Sequence, residues 1–155
     1  RRCAEVAGDR DHLTHIEGSI GICYHVQGDL ETAREWIGRA IESARSLDQF
    51  ALEAHWLVEL GRVEFSAGAL DLAEEHARAA VRIAGPREQT LTIFLAEWLR
   101  HLVRRRTDPS DADLARLDLL RKLFLQLDQH QGIEEIREFR NAVMGMPDPG
   151  SGDEP

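Results

Sequence analysis

Few residues in this chain stand at spacings that could do chemistry. His12 and His15 are three apart, near one face of a helix, with Asp11 and Glu17 close by. Two imidazoles so placed can hold a metal ion once a third ligand arrives from elsewhere. The sequence indicates no third ligand, so the expectation is a solvated helix start. Glu74-Glu75 and Glu134-Glu135 could be read as acid–base pairs. Neighbours on a helix diverge by about 100°, which assigns these carboxylates to solvated faces. Cys3 and Cys23 have no metal-ligand spacing and read as free thiols, with Cys23 beside Tyr24 in a helix core. Arg104-Arg105-Arg106 closes a helix, where positive charge offsets the carbonyl end of the dipole. Trp36, Trp56 and Trp98 could anchor a partner, but helical spacing makes at least two of them packing residues. No phosphate loop, nucleophile elbow, zinc-protease signature or paired-thiol motif occurs. The residues point to a chain that is not an enzyme and carries neither metal nor cofactor.

The elements that position these residues follow from composition and pattern. A chain of 155 residues suits one domain. Leu, Ala, Glu and Arg dominate and β-branched runs are missing, which favours helix throughout. The net charge of −9 argues against a general nucleic-acid or membrane binder. No apolar run approaches the ~20 residues of a membrane span, and no signal peptide is visible. Reduced thiols then point to the cytoplasm.

One regularity organises the chain. Gly21 and Gly61, Gly28 and Gly68, Ala33 and Ala73, and Ala40 and Ala80 are each forty residues apart. A fixed period of that size marks a stacked helical repeat. The first helix, near 11–27, carries Leu13, Ile16, Ile20 and Tyr24 as one apolar stripe. Gly28 can end it in a left-handed conformation and Asp29 can cap the next helix. That helix, near 29–47, uses Leu30, Ala33, Ile37, Ala40, Ile41 and Ala44. The second repeat places Leu52, Trp56, Leu57, Leu60 and Val63 before the Ala67-Gly68-Ala69 turn. Leu70, Ala73, Ala77, Ala80, Val81 and Ala84 follow it. Gly85-Pro86 then breaks the chain, with Pro86 suited to the first turn of a new helix.

The third repeat is less regular. Trp98, Leu99 and Leu102 match Trp56, Leu57 and Leu60 at an offset of 42, which puts Val103 in the glycine place. Ser110 with Asp113 resembles a capping box. Leu114, Leu117, Leu120, Leu123, Phe124 and Leu127 form the next stripe, and a final helix near 132–144 carries Ile133, Ile136, Phe139 and Val143. Residues 145–155, rich in Pro, Gly and acids, read as a disordered tail. RRCAEVA at the start reads as the end of a helix from an earlier repeat, and a chain beginning with Arg1 suggests one cut from something longer.

Ile20-Gly21 with Tyr24, then Ala33, Ile37 and Ala40, resembles the tetratricopeptide repeat, and so does Leu60-Gly61 with Ala73, Ala77 and Ala80. Glu64 departs from the pattern where it has an aromatic, and the period is 40 rather than the usual ~34. The resemblance implies an all-α, right-handed α-solenoid of antiparallel helix pairs. Its units are the end of a preceding repeat (1–10), repeats at 11–48 and 49–85, a degenerate one at 86–130, and a capping helix at 131–144. The longer, degenerate repeats are similar to those in the arms of large bacterial transcriptional activators.

In that family the first helix of each repeat lines a concave face on which a peptide or protein segment lies. With Gly21 and Gly61 setting the register, the resemblance puts His15, Ile22 and His25 on that face, then His55, Val58, Arg62 and Phe65. At the offset of 42, Glu97, Arg100 and Arg104 follow. The places of the family's carboxylate clamp fall on Gly18, Ile22, Glu59, Glu97 and His101, from which no clamp can be assembled. The function expected is a non-catalytic module binding a protein or peptide segment, within a larger bacterial regulator. The alternative is a small-molecule sensor with a pocket lined by Tyr24, His25 and His55.

Overall fold

A computed structural model describes residues 2–110, 113–127 and 134–144, with side chains at 12–110, 113–127 and 134–142. Ile133, the side chain of Cys3 and the tail expected at 145–155 lie outside the described residues. Among the described residues seven α-helices follow one another: α1 (Arg2–Gln27), α2 (Leu30–Ser46), α3 (Phe50–Ser66), α4 (Leu70–Ala84), α5 (Thr90–Thr107), α6 (Leu114–Gln126) and α7 (Glu134–Phe139). Among the described residues there is no strand. From α1 to α6 each helix packs on the next, and α3 also touches α1 and α5. The chain is an all-α helical-repeat solenoid.

The turns share one backbone solution. Gly28 (φ 85°) and Gly68 (φ 80°) end α1 and α3 in the left-handed conformation that glycine adopts without steric cost. Asp48 (φ 53°) and Glu88 (φ 52°) take the same conformation after α2 and after the turn that follows α4. At each place the left-handed residue donates its N–H three residues back, and the next residue donates five back. Gly28 reaches His25 and Asp29 reaches Tyr24; Asp48 reaches Arg45 and Gln49 reaches Ala44. Gly68 and Ala69, and Glu88 and Gln89, repeat the pair. This is the Schellman closure at positions 28, 48, 68 and 88. The sequence shows a period of forty because glycine marks alternate turns; the backbone repeats every twenty. Asp29 caps α2 as expected, its carboxylate accepting the Thr32 N–H at 3.2 Å.

Gly21 and Gly61 stand where helices cross closely. A Cβ on Gly21 would lie 2.5 Å from Ile37 Cγ1 and 3.2 Å from the Ala33 carbonyl oxygen. One on Gly61 would lie 2.8 Å from Leu99 Cδ2 and 3.3 Å from the Ala73 carbonyl oxygen. Ala33 and Ala73 are themselves a forty-residue pair, so the two crossings are equivalent. Gly18 makes room for the Trp56 ring between α1 and α3. Opposite the glycines, Ala33, Ala40 and Ala44 of α2 and Ala73, Ala77, Ala80 and Ala84 of α4 are fully buried.

Ion pairs tie each second helix to the helix after it. Arg34 Nε and Nη2 donate to the buried Glu64 carboxylate at 2.7 and 3.0 Å, and Arg45 Nε donates to Glu53 at 2.9 Å. Glu64, which replaces the family's aromatic, is therefore the acceptor of a bidentate bridge. Between α4 and α5 the polarity reverses, with Arg100 donating to Glu74 at 2.9 Å. A second apolar cluster closes the C-terminal end: Phe94, Trp98, Leu120, Leu123, Leu127, Ile136 and Phe139.

Several elements differ from the sequence reading. α1 runs unbroken from Arg2 to Gln27, so residues 2–10 open this helix instead of ending another. Gly8 alone costs a helix only about 1 kcal/mol and does not stop it. Pro86 sits in a 3-10 turn, Gly85–Arg87, and α5 starts after it at Thr90. Asp113, not Ser110, caps α6, accepting the Arg116 N–H at 3.1 Å. Ser110 instead donates to Asp108 through its backbone N–H and its hydroxyl. Leu13, Ile16 and Leu114, expected in core stripes, are exposed, because no described helix lies over those faces.

Candidate functional site

The residues expected on the concave face depend on register, and the third repeat's register is forty, not 42. Gln49 and Gln89 follow equivalent turns, and from there the buried positions correspond except at Glu53 and Glu64, whose counterparts Ile93 and Arg104 are half-buried and exposed. Ala54, Trp56, Leu57, Val58, Glu59, Gly61 and Val63 of α3 are buried, and so are Phe94, Ala96, Glu97, Trp98, Leu99, His101 and Val103 of α5. His101, not Val103, therefore holds the glycine place. It stacks on Trp98 with centroids 5.3 Å apart, and its Nδ1 is buried with no hydrogen-bond partner among the described residues. Burial holds its pKa below the usual histidine value, and the charges of Arg105 and Arg116 add to this.

The corrected register moves two expected site residues off the face. Arg100 and Arg104 line a groove of about 500 Å³ between α4, α5 and α6. Arg100 and Glu97 belong there to an alternating chain of charges. Arg78 and Arg100 meet Glu74, Arg100 and Arg116 meet Glu97, and Arg116 meets Asp113, at 2.9–3.1 Å. This chain holds α4, α5 and α6 together. Glu74 is thus an ion-pair member, whereas its neighbour Glu75 is exposed, as their angular separation demands.

The face formed by α1, α3 and α5 carries a different concavity, of about 410 Å³. Three expected residues line it: His25, Arg62 and Phe65. Leu95, Trp98 and Leu102 of α5 join them, standing forty residues on from His55, Val58 and Arg62. The offset of 42 hid them, and the turns at Asp48 and Glu88, which hold the true register, carry no glycine to mark them. The opposite wall comes from α7, with Glu134, Glu135 and Glu138. Arg62 bridges to Glu59 at 3.3 Å and to Glu135, so α7 is tied across to α3. Glu135 is therefore half-buried and paired, not part of a solvated face; Glu134 is exposed and pairs with Arg137. His25 Nε2 and Ser66 Oγ share a hydrogen bond of 2.8 Å between the ends of α1 and α3. Burial and then the Arg62 charge hold the His25 pKa down. Glu59, almost fully buried, is pushed up by burial against the pull of Arg62.

The remaining expected residues divide. Val58 is buried in the core and offers no surface. Ile22 is half-buried against the main core. His15 and His55 flank Trp56, their ring centroids 6.3 and 4.5 Å from its own. Burial, then the charges of His15 and Arg62, lowers the His55 pKa. Trp56 and Trp98 are buried packing residues, as expected of at least two of the three tryptophans, while half-buried Trp36 carries Arg39 over its ring. Cys23 is an exposed free thiol, not a core one. His12 and His15 border an open apolar depression with Ile16, Ser19, Ile20 and Cys23. No group of three metal-ligating side chains forms among the described residues. No described helix is long and apolar enough to cross a membrane.

What this arrangement can do is bind. The concavity joins an aromatic and aliphatic wall to a charged rim whose members are mostly paired, and its one hydroxyl–imidazole contact among the described residues, Ser66 with His25, sits at the exposed ends of α1 and α3. Residues 12–85 match the family model of the tetratricopeptide repeat. No curated protein and no solved structure matches the chain. The matched span ends where the second hairpin ends, before His101 replaces the glycine of the motif. The match supports assigning residues 12–85 to the tetratricopeptide repeats.

Proposed function

We propose that the chain is a non-catalytic interaction module that takes a protein or peptide segment on the face of α1, α3 and α5. Tetratricopeptide repeats generally mediate protein–protein interaction. The observation that carries the reading is the concavity that brings His25, Arg62 and Phe65 together with Leu95, Trp98 and Leu102. Apolar side chains of the partner would be buried against Phe65 and Leu102, and the paired charges at the rim would set register. α7 supplies the wall opposite α3 and α5. The degenerate, forty-residue repeats favour a place inside a larger cytoplasmic bacterial regulator.

Phe65 is half-buried on this face, with the Arg106 guanidinium 5.0 Å from its ring centroid. Phe65→Ala is expected to weaken partner capture by the immobilised chain while circular dichroism and the melting transition stay close to the parent's. Capture at full strength would remove the groove from this face. The small-molecule reading called for a pocket built from Tyr24, His25 and His55; only His25 lines the concavity.

A further inference from the structure

The two grooves of the molecule differ in how their charges are met. Between α4, α5 and α6, each of Glu74, Glu97 and Asp113 meets at least one arginine. In the concavity of α1, α3 and α5, three carboxylates of α7, Glu134, Glu135 and Glu138, share the lining with one guanidinium, Arg62. Arg62 is already engaged by Glu135 and by Glu59 at 3.3 Å. His25 adds no charge at neutral pH, since burial and Arg62 hold its pKa down. Arg106, the other cation near the apolar wall, lies over the Phe65 ring. Glu134 pairs only with exposed Arg137, at 3.1 Å, and such a pair is weak. Glu138 is exposed and has no ion-pair partner among the described residues. Across from α7, Phe65, Leu95 and Leu102 are half-buried, so part of each stays open. Trp98 in the same wall is 6% exposed, and its indole N–H has no acceptor among the described residues.

We propose that the concavity selects a peptide segment in which arginine or lysine stands beside large apolar side chains. The apolar groups lie on Phe65, Leu95 and Leu102, and the basic group meets Glu138 and Glu134 on α7. The inference rests on the interaction-module reading and adds the partner's chemistry to it. A cation in this cleft is less screened than one on open surface, so it gains more from the carboxylates. An acidic side chain in the same place would meet three like charges, and Arg62 is already paired against them. The unused Trp98 N–H offers a donor to a backbone carbonyl of the segment. The chain's own residues 145–155 have the wrong sign, carrying Asp148, Asp153 and Glu154 and no basic residue. A second copy, with the same net charge of −9, is repelled, whereas a basic segment is drawn in.

The probe comes from a phage library of random short peptides selected on the full immobilised chain. The selected peptide is then synthesised and its binding followed by fluorescence anisotropy. Selected sequences are expected to place Arg or Lys next to Leu, Phe or Trp, or one helical turn away. Glu138→Lys is expected to keep the parent's melting temperature, because that side chain is exposed and unpaired among the described residues, and to weaken the peptide about three- to tenfold. Glu75→Lys, also exposed but outside the groove, should leave binding unchanged. Raising the salt concentration should weaken binding to the parent more than to Glu138→Lys. Selected peptides rich in acids or without charge bias would overturn the proposal, and so would a Glu138→Lys chain that binds as the parent does. If such peptides still lose binding with Phe65→Ala, the groove stands and only its selectivity falls. Binding indifferent to Phe65→Ala, or a library from which nothing is enriched, would remove the groove and this inference together.

Discussion

From α1 to α4 the helices meet through residues with almost no side chain, whereas from α5 to α7 they meet through the largest ones. Gly21 and Gly61 let backbones approach to within van der Waals contact of Ala33 and Ala73, and a ladder of buried alanines continues the seam. In α5 the glycine place holds His101, and Trp98 stands where α1 has Gly18 and α3 has Val58. Phe139 of α7 then fills the space, its ring 5.4 Å from Phe94, 5.8 Å from Trp98 and 5.4 Å from Phe124. Close approach demands small residues at fixed places, so the first region repeats in sequence. A wide gap can be filled in many ways, so the second does not.

The sharpest way to separate the regions is to empty the second. Phe139 is fully buried among three aromatic rings. Phe139→Ala is expected to cost about 3–5 kcal/mol by urea unfolding and to free α7 from Trp98. A loss much smaller than that would mean α7 is not part of the core. Overfilling the first region comes next. Gly61→Leu is expected to cost about 1–3 kcal/mol through contact with Leu99 and the Ala73 carbonyl, and an unchanged melting temperature would break the equivalence of the two crossings.

Acidification gives a smaller effect. His25, His55 and His101 all have pKa values lowered mainly by burial. The unfolded chain then takes up protons first, so stability is complete above about pH 6.5 and falls as pH drops through and below that value. Glu59, whose pKa is raised, works in the opposite sense, its contribution falling as pH rises past the ordinary carboxylate value. The melting temperature is expected to fall between pH 7 and the mid-fives. His55→Gln should flatten the slope through the first region and His101→Gln through the second. A slope untouched by either variant would place the titration elsewhere.

Much of the first region was legible from residue type alone. Gly28 and Gly68 announced left-handed turns, and Gly21, Gly61 and the alanines announced crossings, because few other residues fit there. The groove was half legible. His25, Arg62 and Phe65 came from the glycine register of α1 and α3, while Leu95, Trp98 and Leu102 were missed. Trp98-Leu99 looks like Trp56-Leu57 but sits two residues out of phase. The turns at Asp48 and Glu88 held the true register, and without glycine they gave no signal. Leu13 and Ile16 carried a core pattern whose covering element is not among the described helices, so pattern alone could not tell buried from exposed.

The central claim is that glycine is present at the crossings because space forbids a side chain, and not because a helix tolerates it. Gly21 and Gly38 separate the two, since a Cβ at Gly38 meets nothing within 4 Å. Urea unfolding of Gly21→Ala and Gly38→Ala against the parent should give opposite signs. Gly21→Ala should lose about 1–3 kcal/mol through contact with Ile37, and Gly38→Ala should gain up to about 1 kcal/mol from helix propensity. Two gains of equal size would contradict the account.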